Sequence, residues 1–213
     1  MKRSRMLLLA LLSALLLSIP FFQWGTGLLL MVAFVPLLLV EDEIARRKSK
    51  RAKKDRRGSM IGYALITFVV FVLLTTWWIY WATWTGPIAS VIVNGGYMTL
   101  TFLVFHRVRR KLGDRLGYAS FVIFWLAFEF LYIRAQINFP WIILGNGFAN
   151  DVMIIQWYEW TGVLGGSLWV LVMNILVFKL VKVWMEKRSL SASRLRLGWV
   201  LGVLLLPLLF SVL

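Results

Sequence analysis

Outside its basic segments the chain has few ionisable side chains, and three of them, Glu129, Arg134 and Glu159, fall beside a stretch rich in tryptophan and helix breakers. A guanidinium can fork onto a carboxylate or a phosphodiester, so Arg134 has three suitable partners: Glu129, Glu159 or a phospholipid headgroup. Glu129 sits inside an apolar run, about 7 Å below Arg134 if both lie on one helix. An ionisable residue within such a run is a functional candidate by default. Glu159 precedes another apolar run, where a negative charge is favoured at a helix N-terminus, so capping competes with acid–base work as its role. No nucleophile accompanies these groups. The chain has no cysteine and one histidine, His106, and it shows no paired carboxylates at a metal-ligand spacing. Neither a metal nor a cofactor is expected, and the chemistry on offer is recognition.

Arg134 and Glu159 belong to the one long segment, 134–160, that is neither a clean apolar run nor a basic loop, and Glu129 lies just before it. Pro140 lacks an amide donor and biases Phe139 away from helix, so a turn or re-entrant piece is expected at a membrane surface. Trp141 then sits at headgroup depth with its indole N–H free to find a polar partner, either as a belt residue or as a wall of a lipid-binding groove. Gly145 and Gly147 interrupt any helix further on, and Gln156 and Glu159 follow among Trp157, Tyr158 and Trp160. Gly162 and Gly166 have the GxxxG spacing that favours close helix packing.

The elements that hold this segment are membrane helices. The composition is 61% hydrophobic, with a mean hydropathy of +0.80, and the apolar residues arrive in long runs. None shows the alternation of a barrel strand, so the fold expected is an all-α integral membrane bundle. Seven spans are expected, at about 6–22, 25–40, 60–80, 87–105, 118–133, 161–181 and 197–213. Lys2, Arg3 and Arg5 before the first run resemble a signal peptide, but no cleavage site follows, and two spans joined by a tight turn read better.

Of the 24 Lys and Arg, three lie at the N-terminus, nine in a basic loop at 41–58, five between His106 and Gly117 and six from Lys179 to Arg196. Arg134 alone falls outside these segments. By the positive-inside rule the basic segments are cytoplasmic, the N-terminus is inside, the C-terminus outside, and 134–160 faces the periplasm. The basic residues therefore report topology rather than nucleic-acid binding. Trp77, Trp81 and Trp84 share one helix face and suit an aromatic belt or a lipid-binding face. His106 reads as an interface residue.

The wording of the central segment is specific. Phe139-Pro140-Trp141, then Leu144-Gly145-Asn146-Gly147-Phe148-Ala149-Asn150, Ile155-Gln156-Trp157-Tyr158-Glu159-Trp160-Thr161-Gly162-Val163, Gly166-Ser167-Leu168-Trp169 and Asn174 resemble the bacterial apolipoprotein N-acyltransferases, most nearly the Bacteroidetes-type form. The resemblance implies a multi-pass inner-membrane enzyme of lipoprotein maturation. Such an enzyme takes an acyl chain from a membrane phospholipid, holds it as a cysteine thioester and passes it to the S-diacylglyceryl-cysteine N-terminus of a lipoprotein. It also implies a nitrilase-like domain with a glutamate, lysine and cysteine triad, placed between the seventh span and an eighth. No such domain occurs in these residues, so no catalytic residue carries over and the chain alone is expected to be inactive. The positions that carry over are Glu129, Arg134, Pro140, Trp141, Gly145, Gln156, Glu159 and Gly162, expected to shape the lipid entry surface. A second reading is a lipid-binding scaffold for a separately encoded hydrolase-like chain; a small transporter fits less well, because one irregular segment has no counterpart.

Overall fold

The computed structural model describes residues 1–50, 59–136, 139–187 and 194–212. Within them the chain is helical, with no strand. The order is α1 (Arg3–Ser18), α2 (Leu30–Ala33), α3 (Val35–Lys50), α4 (Met60–Thr76), α5 (Gly86–Ser90), a π-helical turn (Val91–Gly95), α6 (Gly96–Arg134), α7 (Tyr158–Lys187) and α8 (Arg194–Val212). Five helices among the described residues are long and apolar enough to cross a membrane: Arg3–Phe21, Met60–Trp81, Gly86–Arg134, Tyr158–Glu186 and Arg194–Ser211.

Helix α6 is two arms folded on each other at Gly113, whose φ of 83° and ψ of −177° leave helical space. A Cβ on Gly117 would lie 2.7 Å from the Cα of Arg109, whereas residues eight apart in a straight helix are about 12 Å apart. The aromatic pairs Phe105–Tyr118, Phe102–Phe121 and Tyr97–Phe128 converge on the same turn. The runs expected at 87–105 and 118–133 are therefore the arms of one hairpin, and the basic segment between them is helical.

The run expected as one span at 25–40 is broken. Pro36 cannot donate to the carbonyl four residues back, and the helix stops at Ala33 and restarts at Val35. Asn174 of α7 repairs the gap: its Oδ1 accepts from Phe34 N at 2.7 Å and its Nδ2 donates to Leu30 O at 2.6 Å. One side-chain amide thus stands in for one helical hydrogen bond. Ser13 of α1 adds an acceptor for Leu37 N at 2.9 Å. Pro207 leaves Val203 O without its usual donor within α8, and the indole N–H of Trp169 fills that vacancy at 2.7 Å. With no water in the bilayer core, a broken helix persists only where neighbours satisfy its backbone in this way.

Two further expectations need correction. The stretch from 41 to 50, expected as the start of a loop, is helical: α3 continues through Lys50, with no helix breaker after Pro36 on the way, and Glu41 and Asp42 are buried. Residues 51–58 and Arg188 of the basic segments lie outside the described residues. The glycines of the GxxxG pair do not make a helix–helix seam. Gly162 has a φ of 64° with open space around it and kinks α7, while a Cβ on Gly166 would strike the Tyr158 hydroxyl.

The core is aromatic. Phe34, Phe68, Phe102, Phe105, Phe121 and Trp125 are fully buried where α3, α4 and both arms of α6 meet. Phe34 lies edge-on to Trp125 with centroids 4.9 Å apart. Lipid is as apolar as these rings, so close packing and quadrupole geometry hold the helices together more than burial from water does.

Candidate functional site

At the end of the bundle opposite Gly113 the central segment folds back into it as short 3₁₀ turns, Pro140–Ile142 and Leu144–Phe148. Pro140 opens the first turn, where its missing N–H is harmless, and its carbonyl accepts from Asn146 Nδ2 at 2.7 Å. Glu129, on the second arm of α6 and 1% exposed, accepts from Leu144 N at 3.0 Å and from the Trp125 indole at 3.1 Å. Gly145 N donates to Ser167 Oγ, and Gly145 O accepts from the Tyr158 hydroxyl, both at 3.0 Å. A Cβ at Gly145 would lie 2.1 Å from Val163 O, so only glycine permits this approach to α7.

The first turn of the chain is tied to the same segment. Asn150 Nδ2 donates to Phe22 O at 2.8 Å and Gly25 O at 3.0 Å, and Asp151 accepts from Thr26 Oγ1 at 3.0 Å and Gly27 N at 2.5 Å. Between the two segments opens a groove of about 530 Å³ whose lining includes Phe21, Phe22, Trp141, Asn146, Asn150 and Tyr158. Its walls are mainly apolar, and the amides and the tyrosine form a polar part. Trp141, 56% exposed, meets Trp78 edge-on at 5.9 Å.

Of the residues singled out from sequence, Trp141 and Gly145 line the groove, while Pro140 and Glu129 hold its floor. Gln156, Glu159 and Gly162 stand outside its lining: Gln156 Nε2 caps Val152 O at 2.9 Å, Glu159 is exposed in the first turn of α7 and Gly162 is the kink. Arg134 pairs with neither Glu129 nor Glu159 among the described residues. Glu129 is turned inward to the Leu144 amide and the Trp125 indole, and the Arg134 guanidinium rests on the Phe130 ring at 4.3 Å. Phe22, Asn150 and Tyr158 were not singled out as site residues. The helix break at Pro20 to Gly27 was the available signal for Phe22; the other two stood within the segment's own wording.

At the Gly113 end lies a second polar assembly. Glu41 Oε1 is 2.6 Å from His106 Nδ1, and Glu41 Oε2 binds Arg109. Arg109 also reaches Asp42 at 2.5 Å and Asp114 at 2.9 Å. Asp42 takes Lys182 at 3.0 Å and Arg46 at 2.8 Å, and Arg46 continues to Glu186 at 2.7 Å. Burial pushes the Asp42 carboxyl up, but hydrogen bonds from Arg109 and Lys182 outweigh it and hold the group below the usual range. His106 is thus buried between α6 and α3, against Glu41. Among the described residues no three His, Cys, Asp or Glu side chains group to hold a metal ion.

Long apolar helices throughout the described residues, with a re-entrant aromatic segment bordering a groove at one end, define a polytopic membrane protein. The chain belongs to the apolipoprotein N-acyltransferase family, whose N-terminal domain matches residues 13–176. It is 30% identical over 214 residues to the apolipoprotein N-acyltransferase of Chlorobaculum tepidum, covering 98% of this chain and 37% of that protein. It is 30% identical over 183 residues to the protein of that name from Geobacter metallireducens, covering 82% and 33%. The chain therefore spans about a third of the length of these curated relatives. No solved structure matches it.

Proposed function

We propose that this chain is the membrane half of an apolipoprotein N-acyltransferase of the bacterial inner membrane, and that the groove at Trp141 receives the lipid chains of its substrates. The observation that carries the reading is that the groove is built by residues 20–23 and 141–158, both inside the region matched by the family's domain. A membrane phospholipid is the acyl donor and the N-terminal diacylglyceryl-cysteine of a lipoprotein the acceptor. Apolar walls suit the chains, and Asn146, Asn150 and Tyr158 suit the ester and glycerol oxygens. The Trp141 end faces the periplasm and the basic segments face the cytoplasm.

With no cysteine among its residues, the chain cannot itself form the thioester through which the family is expected to work. The nucleophile comes from a nitrilase-like domain supplied in cis or in trans, and these residues alone are silent in acyl transfer. The test is acyl transfer by a full-length version carrying Trp141→Ala, with the melting temperature as a fold control. Loss of one aromatic wall lowers the rate by up to about tenfold. An unchanged rate at saturating and limiting lipid would sink the assignment.

A further inference from the structure

The assembly at the Gly113 end plays no part in the reading above. It borders an open cavity of about 400 Å³ whose lining includes Asp42, Arg46, Arg109, Arg110, Asp114 and Lys182. Both lining carboxylates are already engaged: Asp42 by Arg109, Lys182 and Arg46, and Asp114 by Arg109. Arg109 and Arg46 are also paired with Glu41 and Glu186, so the donors still available in the lining are those of Arg110 and the remaining N–H groups of Lys182. Arg110 is exposed and makes no ion pair among the described residues, and Lys182 spends one bond on Asp42. With its carboxylates already paired and its free groups cationic donors, such a cavity favours an anion.

Its position selects the anion. The cavity lies between α3, the Gly113 turn of α6 and α7, beside the exposed Arg107, Lys111 and Arg115. The second arm of α6 runs from here to Arg134, about 30 Å at the helical rise, which is the thickness of a bilayer core. This end of the bundle therefore lies at headgroup depth, where basic pockets between membrane helices take lipid phosphates. Aromatic rings fix the cations: Arg109 stands 4.9 Å over Tyr118 and Lys182 5.8 Å over Phe178.

We propose that this cavity binds the phosphodiester headgroup of an anionic phospholipid through Arg110 and Lys182. It is a second lipid site, at the far end of the bundle from the groove. The test titrates the whole chain in neutral detergent with phosphatidylglycerol, phosphatidylcholine or inorganic phosphate, following the thermal midpoint. Phosphatidylglycerol is expected to raise the midpoint saturably, with the other two having little effect. Arg110→Gln removes a group that holds nothing else in place and should weaken binding about fivefold. Arg115→Gln, equally basic but outside the cavity, should change it less than about twofold. An equal rise with phosphatidylcholine or free phosphate would overturn the assignment, as would equal losses in the two variants, which would mean that a diffuse basic surface suffices.

Discussion

The carboxylate of Glu129 accepts the backbone amide of Leu144 at 3.0 Å, so a side chain buried within a helix fixes the start of the loop that carries the groove. Replacing it separates acceptor from charge. Glu129→Gln keeps an oxygen for Leu144 N and the Trp125 indole and should leave the thermal midpoint nearly unchanged. Glu129→Ala leaves two buried donors unmet and should cost about 1–3 kcal/mol. Equal melting of both variants in detergent would contradict this.

Asn174 supplies both halves of the hydrogen bond missing between Leu30 and Phe34. Asn174→Leu should therefore destabilise the bundle by about 1–2 kcal/mol, near the upper end of measured polar contacts within membranes. Chemical denaturation in mixed micelles reads the difference. Asn174→Asp sets a buried carboxylate oxygen against Leu30 O and should destabilise at least as much.

At Gly113 the space for a Cβ is open, so any effect of Gly113→Ala comes from backbone conformation alone. A φ of 83° with ψ near 180° is a region populated by glycine almost exclusively. The cost should be about 1–3 kcal/mol, whereas Gly62→Ala, also in open space but within regular α4, should be neutral or slightly stabilising. Paired melting curves decide it.

Asp42 carries the pH dependence of the charged end. Its folded pKa is depressed below the ordinary value of 3.8, so the stability it contributes is fully present above that value and is lost as pH falls through the lower, folded one. Melting followed from pH 6 to pH 3 should show the loss only in the last part of the range. Asp42→Asn should lower stability at pH 6 and flatten the acid limb.

The helices and the special segment could be read because each signal was local. Apolar runs, Pro140 and Gly145 announce themselves within a few residues, and the five basic residues between His106 and Gly117 marked the turn that Gly113 makes. Relationships between distant residues left no such mark. Pro36 lay inside the expected 25–40 span, and the repair of the break beside it depends on an asparagine 140 residues from Phe34. Glu41 and Asp42 stood next to nine basic residues and read as the edge of a solvated loop; only folding shows that Arg109, 68 residues later, draws Glu41 into the interior. Arg134 was read against the nearest carboxylates, but Glu129 turns toward the Leu144 amide and the Trp125 indole instead.

The Asn174 repair also sets an order of events during synthesis. At about 5–20 residues per second, the ribosome needs on the order of ten seconds to make the residues separating Leu30 from Asn174. Through that interval the α2–α3 break has no amide to complete it, whereas the two arms meeting at Gly113 are contiguous and can zip together as soon as they emerge. The nascent chain thus acquires its hairpin early and its second span late, and the break is sealed only when α7 is delivered.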